Sequence, residues 1–241
     1  MNIVIPAAGR GERFTASGFK VPKPIIDVNG IPMIQAAVES LGLEGKYIFI
    51  VYDYEKEEFN HKIKEALAEC HVDPTVIKIN YITQGPASSA LLAKELINND
   101  EPLIITNCDQ IMKWDPEAFK KELGADRDRD GLVVTYDSNT PKNSYIKIAE
   151  HGWADELAEK KVISNLSLNG IHYWSKGGLF VKSAEAMIKK NIRVNNEFYI
   201  SETYNQLIKL GYNIDNYHIP AEQHCAIGVP EDLQRYLDEN S

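Results

Sequence analysis

Apolar residues fall into two rhythms along the chain. Short runs such as Ile3-Val4-Ile5, Tyr47-Ile48-Phe49-Ile50-Val51 and Leu103-Ile104-Ile105, with the segment Val76–Tyr81, alternate with stretches whose apolar positions recur every three or four residues. The runs have the length and the β-branched content of buried strands. The spaced stretches, Ile34–Leu41, Glu55–Cys70 with Phe59, Ile63 and Leu67 four apart, and Ser88–Ile97, have the period of helices with one apolar face. This strand–helix–strand rhythm predicts a mostly parallel sheet covered by helices. After a helical segment at Asp115–Leu123 the pattern changes. Leu132–Tyr136, Tyr145–Ala149 and Ser167–Trp174 read as strands, expected to pair antiparallel, and Gly178–Lys190 and Tyr199–Leu210 as helices. No repeat or low-complexity linker divides the chain, so one domain over residues 1–241 is expected. The charged segment Asp126-Arg127-Asp128-Arg129-Asp130 reads as a solvated connection.

Composition narrows the class. With 241 residues, 44% apolar and 25% charged, the chain has room for a sizeable core. No apolar run approaches the ~18–20 residues of a bilayer crossing. The opening Met-Asn-Ile-Val-Ile-Pro has neither a basic flank nor a long apolar stretch, so a cytoplasmic protein with no membrane partner is expected. The 26 basic against 35 acidic residues leave a formal charge of −9, which argues against nucleic acid as a partner and requires any phosphate site to be locally basic. Cys70, Cys108 and Cys225 are odd in number and far apart, which predicts buried free thiols rather than a disulfide framework or zinc site. The six histidines form no HExxH or other close-spaced ligand set.

In open α/β sheets ligands gather at the carboxyl ends of strands, so the loops after Ile5, Val51, Tyr81 and Ile105 are where chemistry is expected. The first is Pro6-Ala7-Ala8-Gly9-Arg10-Gly11-Glu12-Arg13. Its glycines let the backbone approach an anion closely and its arginines supply charge, although a purely structural turn has the same look. It is not a Rossmann fingerprint, which needs a small residue where Phe14 stands, nor a Walker loop, which needs Gly-Lys-Ser/Thr where Glu12-Arg13 follow. Farther on, the prolines of Pro22-Lys23-Pro24 are expected to hold Lys23 in extended backbone, off any helix. Asp109, at the end of the Leu103–Ile105 run, is either a turn former or a carboxylate for Mg²⁺, which takes one or two carboxylates with phosphate oxygens and water.

The ordered set Gly9-x-Gly11-x-Arg13, Pro22-Lys23-Pro24 and Asp27-Val28-Asn29-Gly30-Ile31-Pro32-Met33-Ile34 resembles the opening of the sugar-phosphate nucleotidylyltransferases. Those enzymes join a nucleoside triphosphate to a sugar phosphate or related phosphate. Thr106-Asn107-Cys108-Asp109-Gln110, Thr83-Gln84-Gly85-Pro86-Ala87-Ser88, Glu159-Lys160, Asn169-Gly170-Ile171-His172-Tyr173 and Glu197–Glu202 extend the likeness over about residues 1–236. The resemblance implies a Rossmann-like three-layer α/β/α sandwich with a mixed, mostly parallel sheet. It divides the chain into a nucleotide-binding part, about residues 1–125, and an acceptor-binding part, about 126–241. Arg13, Lys23 and Asp109 are then catalytic, with Asp109 holding Mg²⁺. Ala7, Ala8, Gly9, Arg10, Gly11, Gln84, Gly85 and Asn107 bind the nucleotide. Glu159, Lys160, Asn169, Gly170 and Glu197 bind the acceptor, although a helix-capping motif accounts equally for Ser201 and Glu202. The implied partners are a nucleoside triphosphate and a small phosphorylated acceptor. Oligomeric state is open, a homodimer being the commonest homo-oligomeric form.

One position departs from the family pattern. Where these enzymes usually carry Asp-Ile-Gly-Thr-Pro-Glu-Asp, whose first aspartate is a second metal ligand, this chain has Ala226-Ile227-Gly228-Val229-Pro230-Glu231-Asp232. Either phosphates and water complete the site on Asp109, or Glu222 or His224 substitutes, or activity is weakened. The segments Asn107–Gln110 and Glu197–Ser201 resemble most a subgroup linked to capsule and surface-polysaccharide synthesis, whose ending also lacks this aspartate. Two rivals remain: a glycosyltransferase of related fold, which holds its metal with Asp-x-Asp where this chain reads Asp109-Gln110-Ile111, and a catalytically inactive nucleotide-binding domain.

Overall fold

Successive residues of a strand point to opposite faces, and in the runs around Ile3 and Ile48 both sets are apolar, so each strand builds two cores at once. Ile3, Ile5, Tyr47, Phe49 and Val51 face one layer of helices, and Val4, Ile48 and Ile50 face the other. The structure, a computed structural model that describes residues 1–240, begins with strand Asn2–Ala7 (β1), a short helix Glu12–Ala16 (α1) and one 3-10 turn at Lys23–Ile25. A two-strand hairpin, Asp27–Val28 (β2) and Ile31–Pro32 (β3), leads into helix Met33–Leu41 (α2), strand Lys46–Tyr52 (β4), helix Glu57–Glu69 (α3) and strand Pro74–Ile79 (β5). Next come helices Pro86–Ala90 (α4) and Lys94–Ile97 (α5), strands Leu103–Ile105 (β6) and Gln110–Met112 (β7), and helix Pro116–Leu123 (α6). The second half supplies strands Gly131–Asp137 (β8), Ser144–Ile148 (β9), Ala154–Glu159 (β10) and Leu166–Trp174 (β11), then helices Gly177–Lys189 (α7) and Ser201–Ile208 (α8). Strands Ile214–His218 (β12) and His224–Ala226 (β13) and helix Pro230–Glu239 (α9) complete it.

The main sheet has nine strands, with the path β10-β9-β11-β6-β1-β4-β5 and with β8 and β12 branching from β11. β6, β1, β4 and β5 are parallel, β11 runs against β6, and β8, antiparallel to β11, is followed by a parallel β12. Helices α4, α5, α7 and α8 cover one face, and α2, α3 and α6 the other. This is the α/β sandwich with a mixed sheet that the family resemblance implies. A third apolar cluster, with Phe14, Met33, Ile111, Ile227 and Leu233, seats α1, α9 and the β7–β13 ribbon behind the glycine turn. The carboxyl ends of β1 and β6 therefore open beside that ribbon.

Several boundaries differ from the sequence expectation for identifiable reasons. Pro86 occupies the first turn of α4, so the helix starts before Ser88. A 3-10 turn at Leu91–Ala93 interrupts it, and the buried Ala87, Ala90 and Ala93 recur at the period of three that a 3-10 turn favours. The strand expected over Val76–Tyr81 runs from Pro74 to Ile79 instead. Helix α8 is shorter than Tyr199–Leu210. Pro22 is extended, with φ −59° and ψ 146°, yet Lys23 opens a single 3-10 turn rather than continuing a strut. Cys70 and Cys108 are buried free thiols, and Cys225 is only half-buried.

The charged connection is not wholly solvated. Arg129 has only 3% of its side chain exposed, reaching Glu122 at 2.5 Å and lying 3.7 Å from Asp215, which Arg127 holds at 2.9 Å. Lone buried charges are costly, so these acids compensate the guanidinium at the base of β8 and β12. Arg129→Met is expected to cost about 3 kcal/mol, the low end for losing one partner of a buried ion pair because Arg127 remains on Asp215. Urea unfolding midpoints of the two proteins check this.

Candidate active site

The glycine turn takes its shape from a close approach. Gly11 adopts φ +61° at the start of α1, and a Cβ there would stand 3.0 Å from the Cβ of Lys23. Glycine thus lets the Lys23 segment pass directly over the turn. The Lys23 ammonium forms an ion pair with Asp109 Oδ2, both side chains being about one-fifth exposed, at 20% and 22%. Asp109 sits in the turn between β6 and β7, where Thr106 N–H donates to the Val4 carbonyl at 3.1 Å and Ile227 N–H donates to the Asp109 carbonyl at 3.0 Å. β13 pairs with β7 in a register that sets Ala226 opposite Gln110. Gly228 then lies against the Asp109 carboxylate with no room for a side chain.

Electrostatics at this junction are governed by the pair. Burial pulls the Lys23 pKa down, but the Asp109 carboxylate outweighs it and holds the ammonium above its ordinary value. Burial pushes the neighbouring Cys108 thiol up to about 12, with Asp109 adding to the shift, which leaves the thiol unreactive at neutral pH. His224 is held down to about 4, chiefly by burial and against the pull of Asp109, so its imidazole is neutral at pH 7.

Two polar chambers meet here. The larger, about 670 Å³, is lined by Ala8, Gly9, Arg10, Gly11 and Arg13 on one side and by Thr83, Gly85, Ser89 and Glu197 on the other. The smaller, about 400 Å³, is lined by Asn107, Asp109, Asn143, Ser144, Glu159, Asn169, Gly170, His172, Tyr199, Ser201 and His224, among others. Arg13, Lys23, Pro86 and Gly228 line both. A side recess of about 200 Å³ joins Ala7, Gly9 and Gly11 to Lys23, Asn107 and Asp109. Arg13 makes no ion pair among the described residues, whereas Arg10 is exposed and pairs with Glu12 at 3.1 Å. The loop after Val51 lines neither chamber.

The smaller chamber is built by the second half of the sheet. Glu159, at the end of β10, accepts hydrogen bonds at Oε2 from Ser144 Oγ of β9 and from Ser201 Oγ of α8, the latter at 2.9 Å. The Ser201 hydroxyl is therefore spent on the chamber rather than on capping the helix. Burial raises the Glu159 pKa, against the opposing pull of both serine hydroxyls and Lys160. Asn169 accepts from Ile171 N–H at 2.9 Å, and Gly170, at φ +97°, leaves the space that the Asn107 amide fills.

Three expected site residues stand elsewhere than the sequence suggests. Gln84 turns its amide oxygen to the Arg193 guanidinium, and Thr83 and Ser89, whose hydroxyls are 2.6 Å apart, face the larger chamber instead. Lys160, in left-handed backbone at φ +54°, donates to the Tyr199 hydroxyl at 2.5 Å and lies over that ring, outside the chamber lining. Glu197 lines the larger chamber rather than the smaller, against Gly85. His224, a sequence candidate for the missing metal ligand, lines the smaller chamber, and Tyr199, Ser144 and His172 join it there without a sequence assignment of their own. His172 and Tyr199 fall within segments of the family likeness, but only long-range strand pairing and helix packing bring their side chains to one chamber.

Fold and site together define an α/β nucleotidyltransferase architecture. Residues 3–166 match the model of the MobA-like NTP transferase domain, and the chain belongs to that family. It is 26% identical over 217 residues to a bifunctional protein GlmU of Methanocaldococcus jannaschii, covering 87% of this chain and 47% of the relative. It is 26% identical over 186 residues to a mannose-1-phosphate guanyltransferase beta-B of Xenopus laevis, covering 73% of this chain and 50% of the relative. The chain thus spans about half the length of these curated relatives. Among solved structures, a nucleoside-diphosphate-sugar pyrophosphorylase from Vibrio cholerae superposes with a TM-score of 0.83 at 22% identity, over 98% of this chain and 99% of that one.

The raised pKa of Glu159 carries a stability signature. Its neutral form is favoured in the fold, so its contribution is complete below the ordinary value of 4.5 and is lost as pH rises through the folded value. Glu159→Gln, which keeps an acceptor for both serines, is expected to melt higher than the parent protein at pH 7.5, the gap closing as pH falls towards 4.5. Melting curves across that range check it, and equal melting at every pH would contradict it.

Proposed function

We propose that this chain is a nucleotidylyltransferase that joins a nucleoside triphosphate to a sugar phosphate or similar small phosphate, releasing pyrophosphate. The observation that carries the reading is the junction of two polar chambers at Arg13, Lys23 and Asp109, with the glycine turn on one side and a hydrogen-bonding chamber on the other. The family membership and the guanyltransferase relative support it. An acceptor phosphate oxygen attacks the α-phosphorus in line, its lone pair forming the new P–O bond while the bridging oxygen to the β-phosphate leaves with the bonding pair. A phosphate monoester has its second pKa near ~6 and is already largely dianionic at neutral pH, so the protein needs no general base. Its work is positioning and charge neutralisation.

In this reading the Gly9–Gly11 backbone and Arg10 hold the β and γ groups. Arg13 and Lys23, which line both chambers, offset charge on the bridging and leaving oxygens. Residues of about 1–125 serve the nucleotide and those beyond serve the acceptor, with Glu197 crossing to the nucleotide side. Glu159, Asn169 and Gly170 hold the acceptor body, and Lys160 acts through Tyr199. Among the described residues no three His, Cys, Asp or Glu side chains form a metal cluster. Glu222 is exposed, and Ala226 brings no donor. What remains, one carboxylate of Asp109 beside the space for phosphates, with the neutral His224 imidazole in the same chamber, fits Mg²⁺ completed by phosphate oxygens and water. Bound there, the ion would neutralise and orient the α-phosphate.

No helix among the described residues is long and apolar enough to cross a membrane. A cytoplasmic enzyme feeding capsule or cell-surface polysaccharide synthesis goes with the segments Asn107–Gln110 and Glu197–Ser201. The test is a pyrophosphate-release assay over five nucleoside triphosphates and a panel of phosphorylated acceptors, with and without a chelator. Release is expected only with both substrates and Mg²⁺ present. Lys23→Ala should lower turnover by about 10²-fold or more, as loss of one donor aimed at developing charge does, with little change in melting temperature. Transfer from a nucleotide sugar without pyrophosphate release would overturn the reading.

A further inference from the structure

His172 sits at the floor of the smaller chamber, on β11 just past the irregularity where that strand slips register against β8. Its ring ends an aromatic stack. Tyr204 lies 5.8 Å from it at 23°, and Trp174 lies 4.7 Å from Tyr204 at 3°. The stack holds the imidazole in one place, with only 7% of the residue exposed.

The two ring nitrogens differ in their surroundings. Nδ1 is sealed in the interior with no hydrogen-bond partner. Nε2 makes no protein hydrogen bond either, yet it is not among the sealed atoms, so it opens on the chamber that the residue lines. A phenyl ring would complete the same stack without burying an unpaired nitrogen, and such nitrogens are costly unless something pairs them. Burial depresses the His172 pKa to about 3, so the ring is neutral and gives a hydrogen bond rather than a charge. Its neighbours in the chamber, Asn143, Ser144 and Asn169, are neutral hydrogen-bonding groups, the lining carboxylates are Asp109 on Lys23, Glu159 on two serines and Asp232 on Arg235, and the lining cations are Arg13 and Lys23 at the junction. A phosphate at the junction with hydroxyls along its carbon skeleton matches this distribution.

We propose that His172 selects the acceptor, its Nε2 pairing with a skeletal hydroxyl of a polyhydroxylated phosphate so that analogues lacking that hydroxyl are rejected. This rests on the acceptor reading of the smaller chamber given above. The test compares the parent protein with His172→Phe and His172→Gln, using hexose 1-phosphates, pentitol phosphates, their monodeoxy analogues and phosphocholine.

In His172→Phe the acceptor KM is expected to rise about tenfold or more, with the KM for the triphosphate and kcat within about twofold, and the preference for the hydroxylated acceptor over its deoxy analogue should collapse. Melting temperature should stay level or rise, because the phenyl ring keeps the stack and removes an unpaired nitrogen. His172→Gln should recover part of the acceptor preference. An unchanged acceptor KM, or triphosphate and acceptor KM values rising together with a fall in melting temperature, would overturn the assignment. If the parent protein releases no pyrophosphate with any acceptor, the transferase reading falls. Calorimetric binding of the same phosphates then decides the role of His172: binding that weakens in His172→Phe supports it, and binding that is absent or unchanged overturns it.

Discussion

The ion pair of Lys23 with Asp109 is the contact on which the site depends. It joins the 3-10 turn that follows α1 to the turn between β6 and β7, residues 86 apart in sequence, at the seam between the two chambers. Two glycines make it attainable: Gly11 lets the Lys23 segment close over the first turn, and Gly228 lets the ribbon of β7 and β13 lie against the carboxylate. Neither charge is fully buried, so the pair remains in reach of whatever enters either chamber. A closed salt bridge in the core would be inert, and a fully solvated one would be weak.

Charge is distributed around that pair with a clear division of labour. The chain carries a net −9, yet the glycine turn gathers Arg10, Arg13 and Lys23 at one place, as an anionic ligand requires. The smaller chamber is different in kind. Glu159 has its pKa raised by burial, while His172 and His224 have theirs lowered by it, so each tends towards the neutral form. A chamber rich in hydrogen-bonding groups next to a cationic junction suits a molecule with charge at one end and hydrogen-bonding groups along the rest.

The segment Val194–Phe198 links the two sides. Phe198 N–H donates to the Gln84 carbonyl at 2.8 Å, Ala87 N–H donates to the Phe198 carbonyl at 3.0 Å, and Arg193 stacks on the Phe198 ring at 3.9 Å while binding the Gln84 amide. Gly85, at φ +122°, has no space for a Cβ against Phe198. The Gln84–Gly85 segment and the Glu197 segment are therefore one packed unit, which is why Glu197 faces the larger chamber and Gln84 faces away from it.

Features that depend on short-range pattern were legible in the order of the amino acids. Apolar runs specified β1, β4 and β6, because a strand buried on both faces must be continuously apolar, and glycine and proline spacing marked the turn at Gly9–Gly11 and the Lys23 segment. Strands β10 and β12 escaped that pattern. Their sequences, Ala-Asp-Glu-Leu-Ala-Glu and Ile-Asp-Asn-Tyr-His, are half polar, and pairing with β9 and β8 makes them strands. Tertiary structure alone decided which atoms each side chain meets: Arg129 with Glu122 and Asp215, Gln84 with Arg193, Ser201 with Glu159, and His172 beneath the chamber on Tyr204. Residue type and local spacing fix what a side chain can do, but its partners come from strand register and helix packing, which join segments as distant as Ser201 and Glu159, 42 residues apart.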